Sequence, residues 1–157
     1  LPKKPRVYVD TSVVGGCCDE EFAEWSLRLF EDFQLGHLLA VVSEVTEAEL
    51  VLAPPEVQER YARLLETGVE VVTVTAEAEE LAGQYPAHGI LSETFRNDAL
   101  HIAIATAANV DVLVSWNFKH IVRFDKIRQF NAVSIEAGYK PIQIFSPREV
   151  TYEREGG

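Results

Sequence analysis

Asn97-Asp98-Ala99-Leu100-His101-Ile102-Ala103-Ile104-Ala105-Thr106-Ala107 is the stretch that decides how this chain is read. Small and apolar residues follow one another with one carboxylate near the start. That is the composition of a helix covered by protein on most sides, because only a solvated face needs charge. A carboxylate carried into such surroundings has to be paired, hydrogen-bonded or bound to a cation. Asp98 therefore has two readings. One is a helix cap, a role open to Asn97 as well; the other is a member of a buried acidic site. The positions of the other acids choose between them.

Outward from this helix, strand and helix signals alternate. Arg6-Val7-Tyr8-Val9 is a short apolar run ending in Asp10-Thr11-Ser12, and such continuous runs suit a parallel sheet covered on both faces. Phe22, Trp25, Leu29 and Phe33 recur at helical spacing before Gly36. Leu38–Val42 reads as a second strand, with Ser43 placed to cap a short helix through Leu52. Val57, Tyr61, Leu64 and Leu65 mark a helix that stops at Gly68. Val69–Val74 is β-branched and reads as a third strand. Ala78, Leu81, Ala82 and Tyr85 form another helical stripe. Val110–Ser115 is the fourth strand, a polar helix is expected from about Asn117, and Pro141–Phe145 is the fifth strand. Strands alternating with helices give an α/β fold with a mostly parallel sheet. No repeat or linker divides the chain, so residues 1–157 form one domain, with a core over about 6–145 and a polar tail over 151–157.

The bulk numbers agree. A chain of 157 residues with 47% hydrophobic and 25% charged residues suits one globular domain. No run reaches the ~20 apolar residues of a membrane helix, and Leu1–Pro5 lacks the apolar stretch of a secretory leader. Cys17 and Cys18 are adjacent, cannot staple distant segments, and read as a small buried pair in a reducing, cytoplasmic compartment. The net charge of −11 argues against a general nucleic-acid binder, but it suits a protein that gathers carboxylates to hold cations.

In open parallel sheets, ligands collect at the carboxyl ends of the strands. Asp10 ends the first strand and Ser115-Trp116-Asn117 ends the fourth; Glu49 lies in the helix after the second. If the first and fourth strands are neighbours, these side chains and Asp98 converge. Crowded carboxylates repel one another, and a hard divalent cation relieves them. Read singly, Glu49 is an ordinary solvated helix acid, beside Glu44 and Glu47; Asp10 could be an N-cap, but its place at the end of the first strand favours the site.

Tyr8-Val9-Asp10-Thr11-Ser12, Ser43–Leu50, Asn97–Ala103 and Leu113-Val114-Ser115-Trp116-Asn117 resemble, in order, the motifs of PIN domains, most of all the VapC-type ribonuclease toxins of toxin–antitoxin systems. The resemblance runs from about Arg6 to Phe145. It implies a three-layer α/β/α sandwich with a five-stranded, mostly parallel sheet. It also implies Mg²⁺- or Mn²⁺-dependent cleavage of RNA, leaving a 5′-phosphate and a 3′-hydroxyl, and a cognate antitoxin partner. A homodimer is compatible with it. On this resemblance Asp10, Glu49, Asp98 and Asn117 are the catalytic and metal-holding positions, with Glu49 chosen over Glu47 by the Ser-x-Val-Thr-x-x-Glu-Leu pattern. Asn117 departs from the pattern, since many members carry Asp there; it offers an amide oxygen without charge.

Lys119, Arg123 and Lys126 recur at helical spacing just past the fourth strand and form a candidate RNA-phosphate face; a solvated helix face explains them equally well. Trp116 and Phe118 are read as packing before base stacking, and His101 as a core or partner-facing residue. The competing reading is a PIN-like module that binds RNA or a protein without cutting. A phosphotransfer domain lacks its second Asp, since position 12 is Ser, and no GxGxxG follows the first strand.

Overall fold

Five short strands form one sheet between two helical layers; the three inner ones are buried almost throughout, while the two edge strands are partly exposed. The computed structural model describes residues 3–153; Leu1 and Pro2, and 154–157 of the expected polar tail, lie outside the described residues. The strands are β1 (Arg6–Val9), β2 (Leu39–Ser43), β3 (Glu70–Val72), β4 (Val112–Val114) and β5 (Gln143–Phe145). They form one sheet in the order β3-β2-β1-β4-β5, every pairing parallel. The chain fills one half of the sheet, returns to its centre, and fills the other half. The order therefore reverses between β1 and β4, the crevice where open α/β sheets bind ligands.

The helices are α1 (Thr11–Gly16), α2 (Ala23–Gln34), α3 (Glu44–Leu50), α4 (Pro55–Leu65), α5 (Ala76–Ala87), α6 (Arg96–Ala107), α7 (Phe124–Glu136) and α8 (Pro147–Val150). Alternation along β1 sends its side chains to opposite layers. Tyr8 joins a core with Leu81 and Tyr85 of α5, Ile102 of α6 and Phe130 of α7. Val7 and Val9 join a second core with Leu29 and Phe33 of α2 and Tyr61 and Leu64 of α4. The result is the expected three-layer α/β/α sandwich. Arg6 closes the far end of the sheet: its guanidinium grips both oxygens of Glu70 at 3.0 and 2.7 Å and donates to the Ala108 carbonyl at 2.8 Å.

The quoted helix behaves as its composition demands, with every residue from Ala99 to Thr106 buried. Ser43 caps α3, its hydroxyl accepting from the Val45 N–H. Two local expectations fail, and two short helices escape sequence reading. The helix expected from Asn117 begins only at Phe124, because residues 117–122 are held in a turn by the Ile121 and Val122 N–H groups donating to the Asn117 carbonyl. The short helices α1 and α8 carry too little periodicity to be read from sequence. Cys17 is buried but Cys18 is exposed, so they are not a buried pair.

Two adjacent glycines at the end of α1 test the packing of Trp116. A Cβ on Gly16 would lie 2.6 Å from Ser26 Oγ and from Trp116 Nε1, whereas one on Gly15 meets nothing within 4 Å. Gly16→Ala should cost about 1–3 kcal/mol through overpacking. Gly15→Ala should be neutral or gain up to about 1 kcal/mol from helix propensity. Urea denaturation of the two variants checks this; equal midpoints would show that Trp116 does not need the bare glycine.

Candidate active site at the sheet reversal

Asp98 is the third residue of α6, whose first turn has Phe95, not Asn97 or Asp98, at the cap position. It is not the cap, although a carboxylate in the first turn gains from the helix dipole. One turn further on, His101 is 2% exposed and both its ring nitrogens are engaged. Its Nε2–H donates to Glu49 Oε1 at 2.6 Å, and its Nδ1 meets the Tyr8 hydroxyl at 2.7 Å. The Tyr8 hydroxyl in turn lies 2.7 Å from Ser43 Oγ. Glu49 Oε1 also accepts from the Thr11 hydroxyl at 2.7 Å. The chain from Ser43 through Tyr8, His101 and Glu49 to Thr11 thus links β2, β1, α6, α3 and α1.

Asp10 serves the local fold and the site together. It is the N-cap of α1, its Oδ1 accepting from the Val13 N–H at 3.2 Å and from Ser12 Oγ at 2.6 Å. Its Oδ2 accepts from Ser115 Oγ at 2.5 Å, across the gap between β1 and β4. Of the three acids on α3, Glu49 faces this site. Glu47 accepts from the Tyr61 hydroxyl at 2.9 Å, and Glu44 from the Val74 N–H at 2.9 Å. Asn117 uses its Oδ1 to accept from the His120 N–H at 2.9 Å.

The three carboxylates differ electrically. Burial pushes the Asp10 carboxyl above its usual range against the help of His101, Ser115 and Ser12. Burial does the same to Asp98, with the Glu49 charge adding to it; His120, His101 and the Asn117 side chain only partly offset this. Burial also opposes the charge on Glu49, but the hydrogen bond and charge of His101, with Thr11 and Asn97, outweigh it and hold Glu49 below the usual carboxylate range. His101 therefore acts on all three acids. Sequence reading placed it in the core and missed this role; its offset of three from Asp98, on the same helix face, was the signal. Among the described residues no three His, Cys, Asp or Glu side chains form a ready-made metal cage; each acid is held by hydroxyl, amide or imidazole donors.

The expected basic helix face does not form. Lys119 lies in the turn after β4, Arg123 is the residue before α7, and only Lys126 is on that helix. Arg123 pairs with Asp125 at 3.0 Å, and Lys126 donates to the Ile90 carbonyl. Among the described residues, Lys119 has no carboxylate partner within ion-pair distance.

Fold and site together define a parallel-sheet α/β protein with an acidic centre at its topological switch point. The PIN domain family model matches residues 7–127, and the chain belongs to that family. The match spans Asp10, Glu49, Asp98 and Asn117. No curated protein sequence matches the chain significantly. Among solved structures, Mycobacterium tuberculosis VapC20, described as a sarcin–ricin loop cleaving toxin, is similar at 19% identity and a TM-score of 0.54, over 87% of this chain and 98% of that one. VapBC2 from Rickettsia felis, bound to a DNA fragment from its promoter, is similar at 18% identity and a TM-score of 0.52, over 73% and 89%. At these identities the likeness shows a shared fold. No helix among the described residues is long and apolar enough to cross a membrane.

The opposite shifts of Asp98 and Glu49 predict opposite pH behaviour. The folded pKa of Asp98 is raised, so its charge costs stability at neutral pH, and the cost fades as pH falls through that value. Asp98→Asn should therefore raise the metal-free melting temperature at pH 7 to 8, with the gain shrinking in the acid range. The folded pKa of Glu49 is lowered, so its charge contributes stability above the unfolded value, lost as pH falls through the folded one. Glu49→Gln should lower the melting temperature at neutral pH. A change of about 1 kcal/mol moves Tm by about 2–4 °C in a chain of this size, within reach of calorimetry. A sharp drop for Asp98→Asn would make Asp98 a structural anchor instead.

Proposed function

We propose that this PIN domain is an Mg²⁺- or Mn²⁺-dependent endoribonuclease, the toxin of a toxin–antitoxin pair. It hydrolyses RNA phosphodiester bonds in the cytoplasm and is restrained by a cognate antitoxin protein. The observation that carries the reading is the His101–Glu49 hydrogen bond, which ties Glu49 of α3 to the helix that carries Asp98, with Asp10 at the end of β1 feeling the charge of the same imidazole. Family membership supports it, as do the cleaving toxin and the VapB–VapC complex among the similar structures.

The donor set fits a hard cation. Three carboxylates and an amide offer oxygen ligands, as Mg²⁺ and Mn²⁺ prefer. Asp10 and Asp98 carry charge that burial disfavours, which is the charge a cation would relieve. In this reading Asp10, Glu49 and Asp98 hold the ion, and Asn117 adds the second lone pair of its Oδ1. When bound, the ion supplies a water of lowered pKa and polarises the scissile phosphate.

The protein's own residues orient these groups. Ser12 and Ser115 fix the two oxygens of Asp10, and Thr11 with His101 fixes Glu49. All three hydroxyls of this set donate to carboxylates and so fix their orientation. Lys119, with Arg123 and Lys126 near it in sequence, is the proposed phosphate contact on the rim.

One observation favours a second reading, a module that binds RNA or a protein without cutting. Asn117 brings no charge, and its oxygen already accepts from the His120 N–H. The two readings part at this residue. Asn117→Asp adds a charged ligand, so it should raise cleavage of single-stranded RNA at limiting Mg²⁺ by roughly tenfold, equivalent to about 1.4 kcal/mol of tighter ion binding. The gain should be smaller at saturating Mn²⁺. A cleavage assay across metal concentrations checks this, with Asp10→Asn as the blank. If wild type and Asn117→Asp are both as inactive as the blank throughout, the binding module replaces the nuclease.

A further inference from the structure

A groove of about 410 Å³ opens beside the acidic centre, between the start of α2, the turn after β4, and α8. Its walls are aromatic. Phe22 stacks on Trp116 with ring centroids 4.3 Å apart, and Phe118 approaches the same pair at 6.5 and 6.1 Å. Trp25 also lines the groove, with the Arg28 and Arg148 guanidinium groups 4.9 and 5.5 Å from its ring. Phe118 is 51% exposed, which leaves part of its ring open to the groove.

The groove is joined to the acidic centre by hydrogen bonds. The Trp116 N–H donates to Ser12 Oγ at 2.9 Å, and that hydroxyl donates to Asp10 at 2.6 Å. Its polar groups are mostly committed elsewhere. Trp116 Nε1 donates to Ser26 Oγ at 2.8 Å, and Glu149 turns back to accept from the Ser146 N–H and hydroxyl. Glu21 remains as an acid on the rim. The Arg148 guanidinium, by contrast, has no carboxylate within ion-pair distance among the described residues.

We propose that this groove is a nucleobase subsite for single-stranded RNA. One base stacks on the open face of Phe118, and an adjacent phosphate meets Arg148, which lies with Arg28 over the Trp25 ring. The proposal rests on the ribonuclease reading above and deepens it by saying where a nucleotide flanking the cleaved bond is held. Flat aromatic faces with one free guanidinium suit a base and its phosphate. They offer few donors or acceptors to a peptide backbone, which makes a protein ligand the poorer fit. Stacking also lets an acidic protein hold RNA without the basic stripe that the chain lacks.

Both tryptophans of the chain, Trp25 and Trp116, line the groove, so their fluorescence reports its occupancy. The experiment titrates the full chain, in EDTA to prevent cleavage, with a short single-stranded oligoribonucleotide and with an abasic oligomer of the same length. The expected result is saturable quenching by the first and at least tenfold weaker binding of the second. Phe118→Ala should weaken the oligoribonucleotide about tenfold. Arg148→Ala should lower the slope of log affinity against log salt by about 0.7, one phosphate contact. Both side chains are exposed, so both variants should keep the wild-type melting temperature. Equal affinity for the abasic oligomer, or an affinity unmoved by Phe118→Ala, overturns the subsite. If RNA is still cleaved in that case, the nuclease reading stands without it; a chain that neither binds nor cleaves RNA overturns both.

Discussion

The contact between His101 Nε2 and Glu49 Oε1, 2.6 Å long, ties the buried helix α6 to α3 beside the candidate site. A buried imidazole is costly unless both nitrogens find partners. His101 finds them in Glu49 and in the Tyr8 hydroxyl, at the middle of the central strand. Packing α6 on the sheet and placing Glu49 beside Asp98 are therefore one event. Leaving the Nε2–H without its acceptor would cost about 1–3 kcal/mol, a large share of a typical domain's stability.

Charge at the site is arranged unevenly, which suits it to a task beyond folding. Glu49 is stabilised as an anion, whereas Asp10 and Asp98 are anions that burial disfavours. Capping α1 accounts for a carboxylate at Asp10, whereas Asp98 is not the cap of its own helix. The serines around Asp10 and the Asn117 side chain beside Asp98 lessen the penalty without removing it. The sheet order makes this crowding possible, because the reversal between β1 and β4 opens the one crevice into which both Asp10 and Ser115 project.

Much of this was legible in the sequence, for physical reasons. Ala99–Thr106 has no face that water would tolerate, so its burial followed from composition, and short β-branched runs between helical stripes indicated a parallel sheet. Asp10 was marked by its place at the end of the first strand, whereas Glu49 is a helix acid by local rules and only the resemblance to PIN domains singled it out. His101 was undervalued because its role depends on Tyr8 and Glu49, which are distant in sequence. Lys119, Arg123 and Lys126 were misread as one helix face because helical spacing does not show where a helix begins, and the turn held by the Asn117 carbonyl delays α7 to Phe124. Of the aromatic groove only Trp116 and Phe118 were weighed for base stacking, because Trp25 and Arg148 join them only in three dimensions.

The central claim is that Asp10, Glu49 and Asp98 form one cation-binding centre around His101. Crystals of the protein grown with Mn²⁺ test it most directly, through the anomalous scattering of the ion. The account predicts one strong anomalous peak within roughly 2.0–2.6 Å of oxygens from at least two of these three carboxylates, distances typical of hard cations, and its loss in Asp10→Asn. A fully occupied peak elsewhere on the acidic surface, with none between β1 and β4 at millimolar Mn²⁺, would contradict it.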